Sequence, residues 1–422
     1  MRIGLFTDSY HPATNGITVV VDIIKSNLEA MGHEVFIVAP VPTLRFWRIK
    51  HEPYVVRIPA IKGLFFAEQL TSIFFPPREL RKITKLKLDA TVIFTPAQIG
   101  LMGVYSALSN NTALISQYST DLTEYVERYP AVMPGVLALY AAMPFAFKSK
   151  PKELFTFTKS FRKTENSSHL SWRQHSIQTT LTFLHNRCDA VIAVSPKIAT
   201  LLSNWQTTSP VCTIPTGVNL GATDPKKVAS FKRKYGIKND DKVLLSLGRV
   251  AEEKNLDLLV DAMPFVIKKE PRAKLIIAGG FSYRGTLERK VDSLGLHDHV
   301  IFTGHIPMAD RWSMYAIADI FCFPSLTDTQ ALVVNEAALM NLPIIWCDDD
   351  VNEVLQNKIT GLKAPNHPEQ FASTTLKLLS DTNLCCEYGK NAHKRALQFS
   401  EQNQTKKLYK VIEKAVSNRS KL

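Results

Sequence analysis

Short apolar runs rich in β-branched residues alternate with longer amphipathic stretches along the chain. In the first half, a run at Ile3–Phe6 is followed by a polar loop that ends at Gly16 and by a helical pattern over about residues 17–31. Further runs predict strands at Val35–Val38, Ala90–Phe94, Ala113–Gln117, Ala190–Val194 and Val211–Pro215. Strands that alternate with helices are typical of α/β proteins with parallel sheets.

The second half repeats this pattern. A strand predicted at Val243–Leu247 leads into Gly248-Arg249 and a helical pattern over about residues 256–265. Four more strands are predicted, at Lys274–Ala278, Val300–Phe302, Ile320–Phe323 and Pro343–Cys347. Gly, Asn and Asp cluster in Gly217–Asp224, and Pro225 follows directly, as expected of a linker. We therefore predict an N-terminal domain over 1–218, a C-terminal domain over 219–398, and a terminal helix and tail over 399–422.

Composition agrees with a folded protein of two domains. The 422 residues are 45% apolar and 21% charged, which excludes a disordered chain, a collagen-like repeat and a small disulfide scaffold. Six cysteines are scattered without a CxxC pair, so a reducing compartment is expected. The first apolar run is too short for a signal peptide.

The net charge of +13 is unevenly distributed. Residues 1–200 hold 22 Lys/Arg and 14 Asp/Glu, or +8, and the remainder hold 29 and 24, or +5. A basic surface attracts anionic lipid headgroups, nucleic acid or phosphorylated ligands. An ordinary solvated surface explains the charge equally well.

Two acids follow a predicted buried strand near residue 323. Asp328 lies in a loop after Pro324-Ser325, and Glu336 lies about two turns later, on the next helix, with seven residues between the two acids. Backbone amides at a helix start bind phosphate, and carboxylates accept hydrogen bonds from sugar hydroxyls. Taken alone, two acids at this spacing are more often solvated surface residues.

Cations and glycines form the second group of candidate residues. Gly248 would allow a turn after a buried strand that brings Arg249 and Lys254 to one anion. Gly16 would leave room for a ligand at the first loop. The alternative for Arg249 and Lys254 is that they are ordinary surface cations. The alternative for Gly16 is an ordinary turn glycine. Dehydrogenase, kinase and serine hydrolase interpretations fit poorly, because the sequence has no GxGxxG, Walker A or GxSxG motif.

The order of these motifs along nearly the whole chain resembles the retaining glycosyltransferases of family 4, which have the GT-B fold of two Rossmann-like domains facing a cleft. The segments that carry the resemblance include Gly32–Val35, Asp189–Ser195, Ile214–Val218, Gly248–Asn255, Val300–Gly304 and the acid pair. Thr327–Val334 and Ser116–Asp121 are most similar to lipid glycosyltransferases that glucosylate diacylglycerol or mannosylate phosphatidylinositol. The terminal helix would cross back to the N-terminal domain.

The resemblance implies roles for these residues. Arg249 and Lys254 would neutralise the donor diphosphate as it leaves, and Asp328 would face the transferred sugar. Glu336 would hold the ribose hydroxyls. The remaining residues implied in donor binding are Gly16, Ser119, Gly248, Gln330, Ala331 and Leu332. No metal ion and no cofactor other than the nucleotide-sugar donor is implied, and Asp348–Asp350 is interpreted as a polar loop.

Three residues depart from the family pattern. Asp328 replaces the usual Glu and is shorter by one methylene, and Ala331 replaces a Gly. Ser119 replaces a His that lies near the donor sugar in relatives, and serine cannot carry a positive charge. A changed donor, a slower enzyme and a lost activity are all compatible with this substitution.

Two segments of the N-terminal half are candidates for membrane contact. Arg45, Trp47, Arg48 and Lys50 mix cations with an aromatic side chain, and residues 78–87 carry five cations, including Arg81, Lys82 and Lys85. The uncharged stretch Tyr129–Phe147 is interrupted by prolines, which disfavours a transmembrane span. It is compatible with interfacial insertion or with a buried hairpin.

The leading hypothesis is a retaining, metal-independent glycosyltransferase that moves a hexose from a nucleotide sugar such as UDP-glucose to a lipid acceptor such as diacylglycerol. It would be a peripheral cytoplasmic protein on the anionic inner face of the cell membrane, without a nucleic-acid partner. One alternative acceptor is a polysaccharide or lipopolysaccharide precursor. The alternative from another functional class is a protein of reduced catalytic activity that binds a nucleotide sugar and serves as a partner of another protein.

Overall fold

The computed structural model describes residues 1–13, 15–43, 52–62, 70–72, 76–161 and 170–421. The chain forms two compact units. Unit 1 contains residues 1–216 and 401–422, and unit 2 contains residues 217–400. The two divisions lie two residues from the predicted boundaries.

Unit 1 is built on an eight-stranded sheet. Its strands are β1 (Arg2–Phe6), β2 (Glu34–Val41), β3 (Val55–Lys62), β4 (Leu70–Ser72), β5 (Ala90–Ile93), β6 (Ala113–Tyr118), β7 (Ala190–Ala193) and β8 (Val211–Thr213). Their order across the sheet is β4-β3-β2-β1-β5-β6-β7-β8. The pairs are parallel except for β3 with β4.

Helices cover both faces of this sheet. They are α1 (Gly16–Ala30), α2 (Pro77–Lys85), α3 (Gln98–Asn110), α4 (Leu122–Arg128), α5 (Met133–Ala146), α6 (Pro151–Ser160), α7 (Trp172–His185) and α8 (Pro196–Asn204). Successive side chains of a strand point to opposite faces of a sheet. Leu5 therefore joins the core cluster of Val21 on α1, whereas Phe6 joins the cluster of Met102 on α3.

Unit 2 has a six-stranded parallel sheet with the order β11-β10-β9-β12-β13-β14. Its strands are β9 (Lys242–Leu247), β10 (Ala273–Ala278), β11 (Val300–Gly304), β12 (Ile320–Phe323), β13 (Ile344–Trp346) and β14 (Gly361–Lys363). Its helices are α9 (Pro225–Lys234), α10 (Leu256–Ile267), α11 (Arg284–Ser293), α12 (Arg311–Tyr315), α13 (Leu332–Leu339), α14 (Pro368–Leu379) and α15 (Thr382–Ala396). On β9, Leu244 packs in the cluster of Leu259 on α10, and Leu245 packs in the cluster of Val334 on α13.

The last helix, α16 (Glu401–Arg419), belongs to unit 1. Its buried side chains Leu408, Ile412 and Ala415 join the same core cluster as α1. Near its end, the Nε atom of Arg419 lies 2.9 Å from Oδ2 of Asp189. The prediction that this helix returns to the N-terminal domain is confirmed.

All the predicted strands are present, with ends that differ by a few residues at most. The predictions omitted β3, β4 and β14. Strand β3 contains Arg57 and Pro59, which obscure its alternation, and β4 and β14 have three residues each. Segments this short carry little periodic signal.

Ile412 provides a test of the docking of α16. We expect Ile412→Ala to lower the unfolding free energy of unit 1 by about 2–5 kcal/mol, because a fully buried side chain leaves a cavity. Chemical unfolding followed by hydrogen exchange of peptides from unit 1 measures this change. The exposed Lys410→Ala on the same helix is the control, and equal stability of the two variants would contradict the packing described.

Candidate active site

An open pocket of about 210 Å³ lies in unit 2, where β9, β10 and β12 end and α13 begins. It is lined by residues 246–249, 254, 256, 277–278, 323–325, 328 and 330–333. Strand β9 lies between β10 and β12, so the order of strands reverses beside it. Ligands of parallel α/β sheets bind at such a reversal, beyond the carboxyl ends of the strands.

Two glycines allow the loops after β9 and β10 to meet. Gly248 has a φ of +154° and Gly279 a φ of +149°, which side chains rarely adopt. A Cβ atom at Gly279 would lie 1.7 Å from the carbonyl oxygen of Gly248. This close contact between backbones sets the course of the loop that carries Arg249.

The pocket brings together seven of the eight predicted site residues of unit 2. These are Gly248, Arg249, Lys254, Asp328, Gln330, Ala331 and Leu332. The eighth, Glu336, is not part of the lining. The roles of these residues stay predictions.

Lys254 and Asp328 form an ion pair inside the pocket. The Nζ atom of Lys254 donates to Oδ1 of Asp328 at 2.6 Å, and each side chain is only about a fifth exposed. The other oxygen of Asp328, Oδ2, is buried and has no hydrogen-bond partner among the described residues. Asp328 therefore reaches Lys254 although it is shorter than the glutamate usual in the family, and it retains an oxygen that can accept a hydrogen bond.

Ser325 is a lining residue that was not assigned a role from the sequence. Its Oγ atom is buried, and none of the residues that the structure describes bonds to it. A buried hydroxyl without a partner is costly unless a ligand or water satisfies it. Its place in the Pro-Ser loop after a buried strand was the available signal.

Arg249 lies at the rim of the pocket. Its Nη2 atom is 3.1 Å from Oε1 of Glu253, and its guanidinium lies 5.2 Å from the ring centre of Phe281. More than half of the arginine side chain is exposed. The guanidinium is thus held beside the pocket and retains donors for an anion.

The first residues of α13, Leu332 and Val333, line the pocket. No side chain caps this helix, and Ala331 precedes it with φ −92° and ψ 88°, an ordinary conformation for alanine. The Nδ2 atom of the buried Asn352 donates to the carbonyl oxygen of Ala331 at 3.0 Å. Ala331 therefore stands in place of the usual glycine without backbone strain, and the helix start can bind an anion.

Glu336 is buried behind the pocket. Its Oε1 atom is 2.9 Å from Nη1 of Arg311, and its Oε2 atom accepts a hydrogen bond of 2.8 Å from the hydroxyl of Tyr315. Burial raises the pKa of Glu336, and both partners oppose this effect. Both carboxylate oxygens thus have a partner within the protein, and the role of Glu336 at the ribose stays a prediction.

The predicted donor residues Gly16 and Ser119 lie in unit 1. Gly16 is the first residue of α1, and a Cβ atom there would meet nothing within 4 Å. Ser119 directly follows β6, and Asp121 then caps the start of α4. No neighbouring atom of the described residues therefore requires a glycine at position 16, and its predicted role in admitting a ligand stays a prediction.

The residues predicted to contact a membrane fall in three places. Arg45, Trp47, Arg48 and Lys50 lie outside the described residues. Arg81, Lys82 and Lys85 are exposed on α2, where Lys82 pairs with Glu79 at 2.8 Å. The stretch Tyr129–Phe147 forms a 3-10 turn and α5. Within the described parts of the chain, no helix is long and apolar enough to cross a bilayer.

Two protein-family models match the chain. The model of Glycosyltransferase Family 4 matches residues 14–222. The model described as Glycosyl transferases group 1 matches residues 228–395, which include the pocket.

Similar proteins of known activity include two alpha-monoglucosyldiacylglycerol synthases. The protein from Acholeplasma laidlawii is 28% identical over 363 residues, which cover 83% of this chain and 81% of that protein. The protein from Streptococcus pneumoniae is 27% identical over 371 residues, covering 86% and 74%. The crystal structure of Anabaena HepE in complex with UDP superposes with a TM-score of 0.69 and 14% identity, covering 98% of this chain and 100% of that one. This likeness shows a common fold, GT-B.

The pairing of Glu336 can be tested by removing its cation. We expect Arg311→Leu to destabilise unit 2 by about 3–5 kcal/mol at neutral pH, because a buried carboxylate loses its ionic partner. The pKa of Glu336 then rises further, so the folded state holds the proton more tightly than the unfolded state. The loss should therefore shrink at acidic pH.

Chemical unfolding at neutral and acidic pH measures both effects. Arg311→Leu combined with Glu336→Gln should be more stable at neutral pH than Arg311→Leu alone. The exposed Arg289→Leu in α11 is the control. Equal stability of the Arg311 and Arg289 variants would refute the pairing.

Proposed function

Because the chain belongs to the family-4 glycosyltransferases, we propose that it transfers glucose from UDP-glucose to a lipid hydroxyl such as that of diacylglycerol, with retention and without a metal ion. The observation that carries this proposal is the pocket of unit 2, where two cations and an uncapped helix start surround one space beside the carboxylate of Asp328. The similarity to monoglucosyldiacylglycerol synthases over more than four-fifths of the chain supports the choice of sugar and acceptor.

The donor diphosphate would occupy the basic side of the pocket. Backbone amides at the start of α13 can bind its oxygens, and Arg249 and Lys254 can neutralise its charge. As the bond between the anomeric carbon and the diphosphate breaks, negative charge grows on the leaving oxygen. Cations already in place stabilise that charge without reorganisation.

The sugar and ribose would lie on either side of the diphosphate. Oδ2 of Asp328 and Oγ of Ser325 are buried atoms that can hydrogen-bond to hydroxyls of the transferred sugar. Glu336, oriented by Arg311 and Tyr315, would accept from the ribose. Gly16 and Ser119 stay predicted donor residues, and Ser119 would contribute a neutral hydroxyl where relatives have a histidine.

The acceptor hydroxyl would attack the anomeric carbon on the face that the nucleotide leaves. A new carbon–oxygen bond forms to the lipid, and the proton of the hydroxyl passes to the departing phosphate oxygen. The configuration at the anomeric carbon is thereby retained. The chain would work as a peripheral protein on the cytoplasmic face of the membrane, where the exposed cations of α2 could contact anionic lipids.

Lys254 provides a test of donor binding. We expect Lys254→Ala to weaken UDP-glucose binding about 10- to 100-fold, since a charge-assisted hydrogen bond to phosphate is lost. Isothermal titration calorimetry measures the change. The exposed Lys268→Ala, outside the pocket lining, is the matched control, and unchanged affinity of the Lys254 variant would refute the diphosphate assignment.

Transfer itself is tested with labelled UDP-glucose and vesicles that contain diacylglycerol. We expect labelled monoglucosyldiacylglycerol, and NMR of the product should show an α-linkage. Transfer to a lipopolysaccharide or polysaccharide precursor alone would change the proposed acceptor. Nucleotide binding without transfer or hydrolysis, across several sugars and acceptors, would refute the enzymatic activity. The alternative would then be a partner protein that binds a nucleotide sugar. The replacement of the family's histidine by Ser119 favours this alternative.

A further inference from the structure

Three helices of unit 1 form a layer after β6. The hydroxyl of Tyr140 on α5 donates to the carbonyl of Ser176 on α7, and the ring of Phe147 lies 5.2 Å from that of Phe183. Because residue numbers rise together along both helices, α5 and α7 run parallel. Phe161, just after α6, lies 5.1 Å from Tyr140, whereas α6 itself begins shortly after Phe147. Helix α6 therefore runs in the opposite direction.

One face of this layer is buried. Met133, Val136 and Met143 of α5 and Phe157 of α6 belong to the main core cluster of unit 1. The uncharged stretch Tyr129–Phe147 is thus partly a core element, as the buried-hairpin alternative expects. Its outward side chains remain to be explained.

The same part of the chain also exposes large apolar side chains. Phe155 is 71% exposed, Trp172 56% and Phe145 52%, and they are accompanied by Leu137 and Tyr129. Within the described ranges, seven aromatic side chains are exposed to a comparable degree, and four of them lie between Tyr129 and Trp172. Such a concentration is unusual for a surface that faces only water.

Cations lie among these apolar side chains. The chain from Tyr129 to Phe161 has four lysines, at positions 148, 150, 152 and 159, and a single acid, Glu153. All four lysines are exposed, and Glu153 pairs with Arg187 at 3.2 Å. Phe145 stacks on Tyr105 at 5.1 Å, and Nζ of Lys148 lies 5.4 Å from the centre of the same ring. The surface is therefore both apolar and cationic.

This surface connects to the loop that follows β6. Ser171, which precedes Trp172, donates a hydrogen bond to the carboxylate of Glu127 on α4. Helix α4 starts immediately after Ser119–Asp121. The exposed residues at the start of α7 thus adjoin the helix that leaves the predicted substrate-binding loop of unit 1.

We propose that the outward surface of α5, α6 and the first turn of α7 docks on an anionic lipid bilayer. Phe145, Phe155 and Trp172 enter the interfacial region, and the lysines reach phosphate groups at the level of the headgroups. Charge complementarity selects this occupant, because between Tyr129 and Phe161 four lysines are accompanied by one acid, Glu153, which pairs with Arg187. The proposal deepens the proposed function by giving unit 1 a side from which a lipid acceptor arrives.

Binding to vesicles tests the surface without requiring transfer. Full-length protein is sedimented with phosphatidylcholine vesicles that contain or lack phosphatidylglycerol. We expect Phe155→Ser and Trp172→Ser each to weaken binding to the anionic vesicles about tenfold, the effect of withdrawing one large apolar side chain. Phe265→Ser in unit 2, 43% exposed, is the matched control and should bind like the native chain.

Lysine variants test the electrostatic part. Lys150→Gln with Lys152→Gln should weaken binding to anionic vesicles about tenfold or more at low salt, and the difference from the native chain should shrink as salt rises. The control is the exposed pair Lys268→Gln with Lys269→Gln on unit 2. It removes the same two positive charges as the Lys150 and Lys152 variant and should have little effect.

Three outcomes would overturn the docking surface. They are native-like vesicle binding by the Phe155 and Trp172 variants, equal effects of the two lysine pairs, and a change in oligomeric state caused by these variants in ultracentrifugation without vesicles. Circular dichroism spectra that match the spectrum of the native chain verify that each variant is folded. Native vesicle binding that depends on Phe155 and Trp172, without sugar transfer, would refute the proposed function and keep the surface. If the native chain transfers glucose to detergent-dispersed lipid while the Phe155 and Trp172 variants bind vesicles normally, the docking surface is refuted and the proposed function is kept.

Discussion

The reversal of strand order at β9 is the constraint on which the candidate site depends. Chain connections leave β9 toward β10 on one side, and the chain later returns to pair β12 with its other side. The loops after these strands therefore diverge and leave a space between them. Gly248 and Gly279 allow the two loops after β9 and β10 to touch through their backbones. The position of Arg249, Lys254 and the start of α13 follows from this arrangement.

Electrostatics within that space are balanced in a specific way. Lys254 is neutralised by Asp328, and Arg249 is held by Glu253, so neither cation lies in a pocket without a counter-charge. An incoming diphosphate would compete with carboxylates for these cations. The uncapped amides of α13 carry no such competitor among its own side chains. Under the proposed function, the helix start would provide the first anion contact and the cations would strengthen it.

The two acids that are separated by seven residues, Asp328 and Glu336, lie in different surroundings. Asp328 lies in the pocket, and its ion pair with Lys254 was not predicted from the sequence. Glu336 lies in the core with Arg311 and Tyr315, which belong to α12, a helix of only five residues. An arginine before a tryptophan has no periodic signal of its own. Its importance appears only when the helix is packed against α13.

The sequence by itself determined the two α/β units, nearly all the central strands and seven of the residues that line the pocket, because hydrophobic periodicity and glycine-containing loops act locally. It also indicated that the basic, apolar segment after residue 129 needed an explanation. Only the tertiary structure decided which side chains of that segment are buried with Met143 and which, like Phe155, face outward. It also decided that Glu336 is ion-paired and that Asn352 supports Ala331. These outcomes depend on contacts between elements distant in the chain, which local patterns do not encode.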